Sequence, residues 1–127
     1  MIVGIGIDLV KNERIKTAVE RWKDRFLKRI FTPLERDYAF GFVLPYPHLS
    51  GRFAVKEALL KAMGTGFSKG TRWADIEILN NGQGRPEVKV TGRVQELLRE
   101  KNVAQIHVSI THEAEYSIGQ VILTGRA

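Results

Sequence analysis

The order of the hydrophobic patterns limits this chain's fold more than any other feature. One strand-like segment opens it, helical sequence fills residues 12–63, and strand-like segments return as "DIEIL", "RPEVKV", "QIHVSITH" and "YSIGQVILTG". Strands that alternate with helices build parallel sheets, whereas grouped elements favour α+β with antiparallel pairing. The expected class is therefore α+β, a small antiparallel sheet packed with helices.

Local signals divide the chain further. Asn12 can cap a helix in which Ile15, Val19, Trp22 and Phe26, with Ala18, form an apolar stripe running to about Ile30. Thr32, Pro33 and Glu35 form a Thr-x-x-Glu capping box that starts a short second helix. "GFVLPYPHLS" has the composition of a loop, and "SGRFAVKEALLKAMG" reads as a helix from about Ser50, stopped by Gly64 and Gly66. "NNGQG" and "HEAE" are turns, and a helix is expected from about Thr91 to Lys101.

At 127 residues the chain suits one domain, 1–127, able to bury a core without staples. It has no cysteine, which excludes disulfides and thiolate zinc sites. With no apolar run near the roughly 20 residues of a membrane span and no leader-like start, the expectation is a soluble, cytoplasmic protein with no membrane partner. A net charge of +6 calls for an acidic partner: nucleic acid, a phosphate-rich ligand or an acidic protein.

The stretch "GIGIDLV" places Val3, Ile5, Ile7 and Leu9 on one strand face and Gly4, Gly6 and Asp8 on the other. The first reads as a core face. The second is empty up to a carboxylate, and glycine inside a strand marks the close approach of a backbone or ligand. Asp8 on its own is equally readable as a turn residue. The dinucleotide, P-loop and zinc-protease motifs all fail on spacing. On the later helix, Phe53, Glu57 and Lys61 are spaced by four and share a face. Taken alone, Glu57 and Lys61 form an ordinary surface pair. If Asp8 meets Glu57, the two carboxylates must share a proton or a cation, and hard oxygen donors favour magnesium or manganese, with Lys61 placed to contact phosphate.

Gly6-Ile7-Asp8 followed by Phe53-Ala54-Val55-Lys56-Glu57 through Lys61 resembles the signature of the 4′-phosphopantetheinyl transferases, in their short holo-acyl-carrier-protein synthase branch. The likeness continues through "FTPLERDYA", "NGQGRP" and "VSITHEAEYSIGQV". It implies that family's fold and a transfer of phosphopantetheine from coenzyme A to a serine of apo acyl carrier protein, releasing adenosine 3′,5′-bisphosphate, in fatty acid biosynthesis. It also implies Mg2+ on Asp8 and Glu57, and Lys61, Gly64, Arg85, Pro86 and His112 around coenzyme A. Asp8, Glu57 and Lys61 would be catalytic, in a homotrimer with active sites between subunits. Glu57 and a metal-bound water both remain open as acceptors of the serine proton. The glycines would clear space for metal and pyrophosphate.

On a continuous first helix, Arg14, Arg21, Arg25 and Lys28 fall within roughly 60° of one another, apart from the apolar stripe. Because the family's carriers are acidic, this basic stripe is expected to bind them. A basic nucleic-acid module is the rival from another class, but no RNP-like strand or zinc knuckle supports it. An idle carrier-binding domain is the third reading.

Overall fold

The computed structural model describes residues 1–67 and 70–126. Strand β1 (Ile2–Lys11) leads into helices α1 (Asn12–Trp22), α2 (Asp24–Ile30), α3 (Pro33–Phe40) and α4 (Tyr46–Met63). A 3-10 turn (Trp73–Asp75) precedes the hairpin β2 (Ile76–Asn80) and β3 (Pro86–Val90), and then come α5 (Gly92–Glu100), β4 (Val103–His112) and β5 (Tyr116–Gly125). Every paired strand is antiparallel, in two sheets: β1-β5-β4 and β2-β3. The class is α+β, as the grouped patterns require.

Two boundaries differ from the sequence expectation. Lys23, at φ 48°, interrupts the first helix, so the expected single element is two. Its apolar stripe ends there too: Ile15 is buried, but Trp22 is 47 % exposed rather than in the core. Helix α4 begins at Tyr46, four residues earlier than Ser50, because Pro47 suits the first turn of a helix, where its missing N–H has no partner to lose.

The faces of β1 are inverted relative to expectation. Ile5, Ile7 and Leu9 are 58 %, 56 % and 58 % exposed, and the glycine face is the one that packs inward. The reason lies in α4. Ala54, Ala58 and Ala62 recur every four residues on one side of that helix and are all buried. They let its backbone lie directly on the sheet. A methyl on Gly6 would stand 1.8 Å from the Ala58 carbonyl oxygen, one on Gly4 2.0 Å from that of Ala62, and one on Gly119 2.5 Å from the Val55 nitrogen. The glycines therefore make room for a helix, not for a ligand.

Helix α4 is otherwise apolar nearly all round and joins two clusters. Val55, Leu59 and Met63 meet Ile76, Ile78, Val94, Val121 and Leu123; Leu49 and Ala54 meet Val10, Ile15, Leu27, Ile30 and Phe31. Between them lies a fully buried ion pair. The Lys56 ammonium donates to Glu35 Oε1 at 2.7 Å, the Ile30 carbonyl at 2.7 Å and the Trp73 carbonyl at 3.2 Å. Glu35 also accepts from the Thr32 amide (2.9 Å) and the Ile78 amide (2.9 Å). The capping-box glutamate thus doubles as a counter-ion that ties α2, α3, α4 and β2 together. Burial pushes the Lys56 pKa down and the Glu35 charge pushes it back up.

The glycine contact sets a stability test. Gly6→Ala places a methyl against a backbone carbonyl that cannot swing aside, so overpacking is expected to cost about 1–3 kcal/mol or more in urea unfolding, while Gly82→Ala, where a Cβ would meet open space, stays close to wild type.

Candidate active site

Because α4 settles so closely on β1, side chains at its edge meet those of the strand. Asp8 follows Gly6 by two residues, on the same inward face, at the point where the helix leaves β1 for β5. There the Lys61 ammonium donates to Asp8 Oδ1 at 2.8 Å and to the Ile7 carbonyl at 3.0 Å. Glu57, one turn earlier on α4, lies close enough to sense the same groups. Burial first, and then the Asp8 charge, raise its pKa above the ordinary carboxylate value, while Lys61 and Arg14 pull it down.

Asp8, Glu57 and Lys61 are therefore brought together as expected. The set is two carboxylates and one ammonium, with the raised Glu57 pKa marking a shortage of positive charge. Among the described residues no group of three or more histidine and acidic side chains stands ready for an ion. Two carboxylates are, however, what magnesium takes from a protein when phosphate oxygens and waters complete its shell. The donor set fits that ion.

A second cluster lies beyond β5, the strand that separates β1 from β4. A pocket of about 230 Å³ is lined by Tyr38, His48, Arg52, Asn80, Pro86 and His112, among others. Arg52 is 4 % exposed, lies over the Tyr38 ring at 4.2 Å and donates through Nη2 to Asn80 Oδ1. Its Nε–H finds no hydrogen-bond partner among the described residues. Burial lowers the Arg52 pKa, partly offset by Glu35. His48 stacks on Phe42 with ring centroids 3.8 Å apart and meets His112 edge-on at 5.2 Å. Burial lowers the His48 pKa, and His112 and Arg52 lower it further. Cationic groups crowd an incompletely paired arginine, and an anionic ligand group would relieve that.

His112 and Pro86 are thus in one pocket, while Arg85 is exposed beside it, in the groove between β3 and β4. Gly64 caps α4 in the left-handed region at φ 75°. Within one chain the Asp8 cluster and the His112 pocket are not joined: β5 and the helix across it stand between them. The sequence reading missed Arg52 and His48. Their signal was present, because His48, Arg52 and Lys56 are spaced by four on a helix otherwise apolar, and burying such groups is costly without partners.

The basic stripe is divided by the break at Lys23. Arg14 and Arg21 share one groove with Trp22, whereas Arg25 lies in a second groove on the other side of Trp22, with Phe26 and Arg29. Both arginines nearest Trp22 approach its ring, Arg21 at 5.0 Å and Arg25 at 5.9 Å. Lys28 is exposed beside Asp24 at 3.9 Å.

Comparison with known proteins agrees with this geometry. Residues 4–121 match the family model of the 4′-phosphopantetheinyl transferase superfamily. A holo-[acyl-carrier-protein] synthase of Halothermothrix orenii is 41 % identical over 122 residues, spanning 96 % of this chain and 97 % of its own. The crystal structure of the Neisseria meningitidis holo-[acyl-carrier-protein] synthase superposes with a TM-score of 0.89 at 31 % identity, covering 98 % of this chain and 99 % of that one. The Bacillus anthracis holo-(acyl-carrier-protein) synthase in complex with CoA (3′,5′-ADP) gives 0.79 at 36 % identity, with 99 % of both chains covered. With its signature residues assembled at one strand–helix crossing, the chain belongs to the 4′-phosphopantetheinyl transferase superfamily, in its holo-acyl-carrier-protein synthase branch.

Proposed function

We propose that this protein is a holo-acyl-carrier-protein synthase, one domain over residues 1–127, that moves 4′-phosphopantetheine from coenzyme A to a serine of apo carrier protein in fatty acid biosynthesis. The observation that carries the reading is the convergence of Asp8, Glu57 and Lys61 where α4 leaves β1. In the reaction the serine oxygen bonds to the phosphorus that bears pantetheine, the pyrophosphate P–O bond breaks, and adenosine 3′,5′-bisphosphate leaves with that oxygen.

A pyrophosphate approaching two carboxylates is repelled by both, and Lys61 offsets only one charge. Mg2+ held by Asp8 and Glu57 would supply the missing charge and stabilise the phosphoryl oxygens. The residues of the chain do the rest. Lys61 contacts phosphate, and Gly64, capping the same helix, leaves its end free of side chain. Arg52, His48 and His112, with Pro86 and Arg85 beside them, receive an anionic part of coenzyme A.

Since β5 and α4 separate these clusters in one chain, one coenzyme molecule is proposed to bridge two copies. The outward sheet face supports this: Ile5 and Leu9 on β1 are more than half exposed and pair in register with Ile122 and Ile118 of β5, making an apolar patch suited to self-association. The proposed assembly is a homotrimer in the cytoplasm. Among the described residues no helix is long and apolar enough to cross a membrane.

Four outcomes test the reading. Apo carrier incubated with coenzyme A, Mg2+ and the enzyme should gain the mass of phosphopantetheine; Asp8→Asn should reduce this at least about 100-fold, and near-normal turnover of that variant at limiting Mg2+ would remove the metal role. Glu57 has a raised pKa, so the stability it contributes is present below the ordinary value of 4.5 and lost as pH rises through the raised one. Glu57→Gln should therefore raise Tm at pH 7.5 in chelator, with the gain vanishing toward pH 4, and added Mg2+ should stabilise the wild type only. Ile7→Asp should shift sedimentation from trimer to monomer and abolish transfer together with it. Finally, Arg14→Glu with Arg21→Glu should raise KM for the acidic carrier by tenfold or more at low salt and flatten its salt dependence, leaving coenzyme A affinity nearly unchanged. Because Arg14 also lies near Glu57, Arg21→Glu alone separates carrier docking from the site itself.

A further inference from the structure

A buried polar node lies beside the His48–His112 pocket and takes no part in the chemistry proposed above. Asn12, expected to be a helix cap, is the first residue of α1 and is 4 % exposed; the cap position falls on Lys11 instead. The two N–H groups of its amide donate to the Glu113 carbonyl at 2.8 Å and the Ala114 carbonyl at 3.2 Å. Its Oδ1 accepts from the hydroxyl of Ser117, a fully buried residue, at 2.7 Å. The same hydroxyl lies 3.2 Å from the Pro47 carbonyl. The Asn12 amide N–H reaches the Glu115 carbonyl at 2.8 Å, and the Glu113 N–H closes the turn on the Tyr116 carbonyl at 2.8 Å.

The positions of these contacts matter more than their number. Glu113 directly follows His112, and Pro47 directly precedes His48. Ser117 is paired across the sheet with His112 on one side and Val10 on the other. The backbone beside each histidine is thus tied to one asparagine–serine pair, although the histidines come from elements far apart in sequence. Their rings then meet at 5.2 Å, where a displacement of either strand end or helix start would part them.

The residue types suit this task. Two carbonyls need donors and a hydroxyl needs an acceptor, and a side-chain amide offers both at once, whereas aspartate offers acceptors alone and leucine neither. We propose that Asn12 and Ser117 are positioning residues that hold the start of α4 and the β4–β5 turn together, setting the spacing of His48 and His112 for the anionic part of coenzyme A. This rests on the assignment of that pocket to coenzyme A. Neither residue touches the coenzyme; both act through the histidines.

Ser117→Ala removes the hydroxyl bridge with little change in volume, and Asn12→Asp keeps the size of the amide while removing its donors. The test uses the full-length protein with Mg2+, coenzyme A and apo carrier, and records KM for each substrate, kcat, Tm, and the histidine ring resonances with the His48–His112 nuclear Overhauser effect. Ser117→Ala is expected to raise KM for coenzyme A about three- to tenfold, the loss of one or so hydrogen bonds, with KM for the carrier and kcat unchanged and the inter-ring effect weakened. Asn12→Asp should do the same to a greater extent. A lowered Tm with coenzyme KM and both histidine resonances unchanged would reduce the node to a purely structural role and overturn the proposal. Should Ser117→Ala not fold, Asn12→Asp is judged by the same readouts; should neither fold, wild-type protein decides, because a missing His48–His112 effect removes the arrangement that the node is said to set. The ring measurements need no turnover. A wild type that never modifies the carrier would therefore sink the enzymatic reading while the inter-ring effect still judged the positioning.

Discussion

The backbone of α4 lies on the bare backbones of β1 and β5, and the rest of the structure depends on that contact. It is a steric arrangement: glycine on the strands and alanine on the helix remove the side chains that normally hold the two layers apart. With the layers so close, the side chain at the end of the glycine run, Asp8, cannot point into a core and emerges beside the edge of the helix instead. Glu57 and Lys61 stand on that edge. The convergence that gives the family its chemistry is therefore a by-product of close packing, and the carboxylates are held by rigid elements rather than by a loop.

The same helix carries charged groups with opposite fates. Lys56 is fully buried, and each of its three protons has an acceptor, with Glu35 supplying the counter-charge. Arg52, one turn earlier, is nearly as buried but keeps an unpartnered N–H and has histidines for neighbours. A closed network of the first kind holds elements together. An open one of the second kind is short of an anion, and that incompleteness is what separates a binding group from a structural one.

Asp8 and His112 belong to one sheet yet are separated by β5 and the helix over it. The outward face of the sheet, meanwhile, carries isoleucines and leucine that nothing in the chain covers. These two facts fit one arrangement, in which copies of the chain meet through the apolar face and each completes a neighbour's site. The proposed trimer thus follows from the same inversion of β1 that seats α4: once the glycines face inward, the bulky residues of an alternating strand have to face out.

Much of this was legible in the sequence. The grouping of helical and strand patterns determined the α+β class, the Thr32–Glu35 box marked the start of α3, Gly64 ended α4, and the family signature singled out Asp8, Glu57 and Lys61 from the chain. These are local or pattern-level properties, set by periodicity, capping and residue chemistry. The tertiary structure alone decided which face of β1 is buried, because a period of two names both faces without saying what packs on either. It also decided the break at Lys23, a backbone conformation unusual for a lysine, and the exposure of Trp22 that follows. Likewise it recruited Glu35 as partner of Lys56, and Arg52 and His48 into the pocket with His112. Each of these pairs residues distant in the chain, and the partner of a buried charge is chosen by where the backbone brings it, which no single segment of sequence contains.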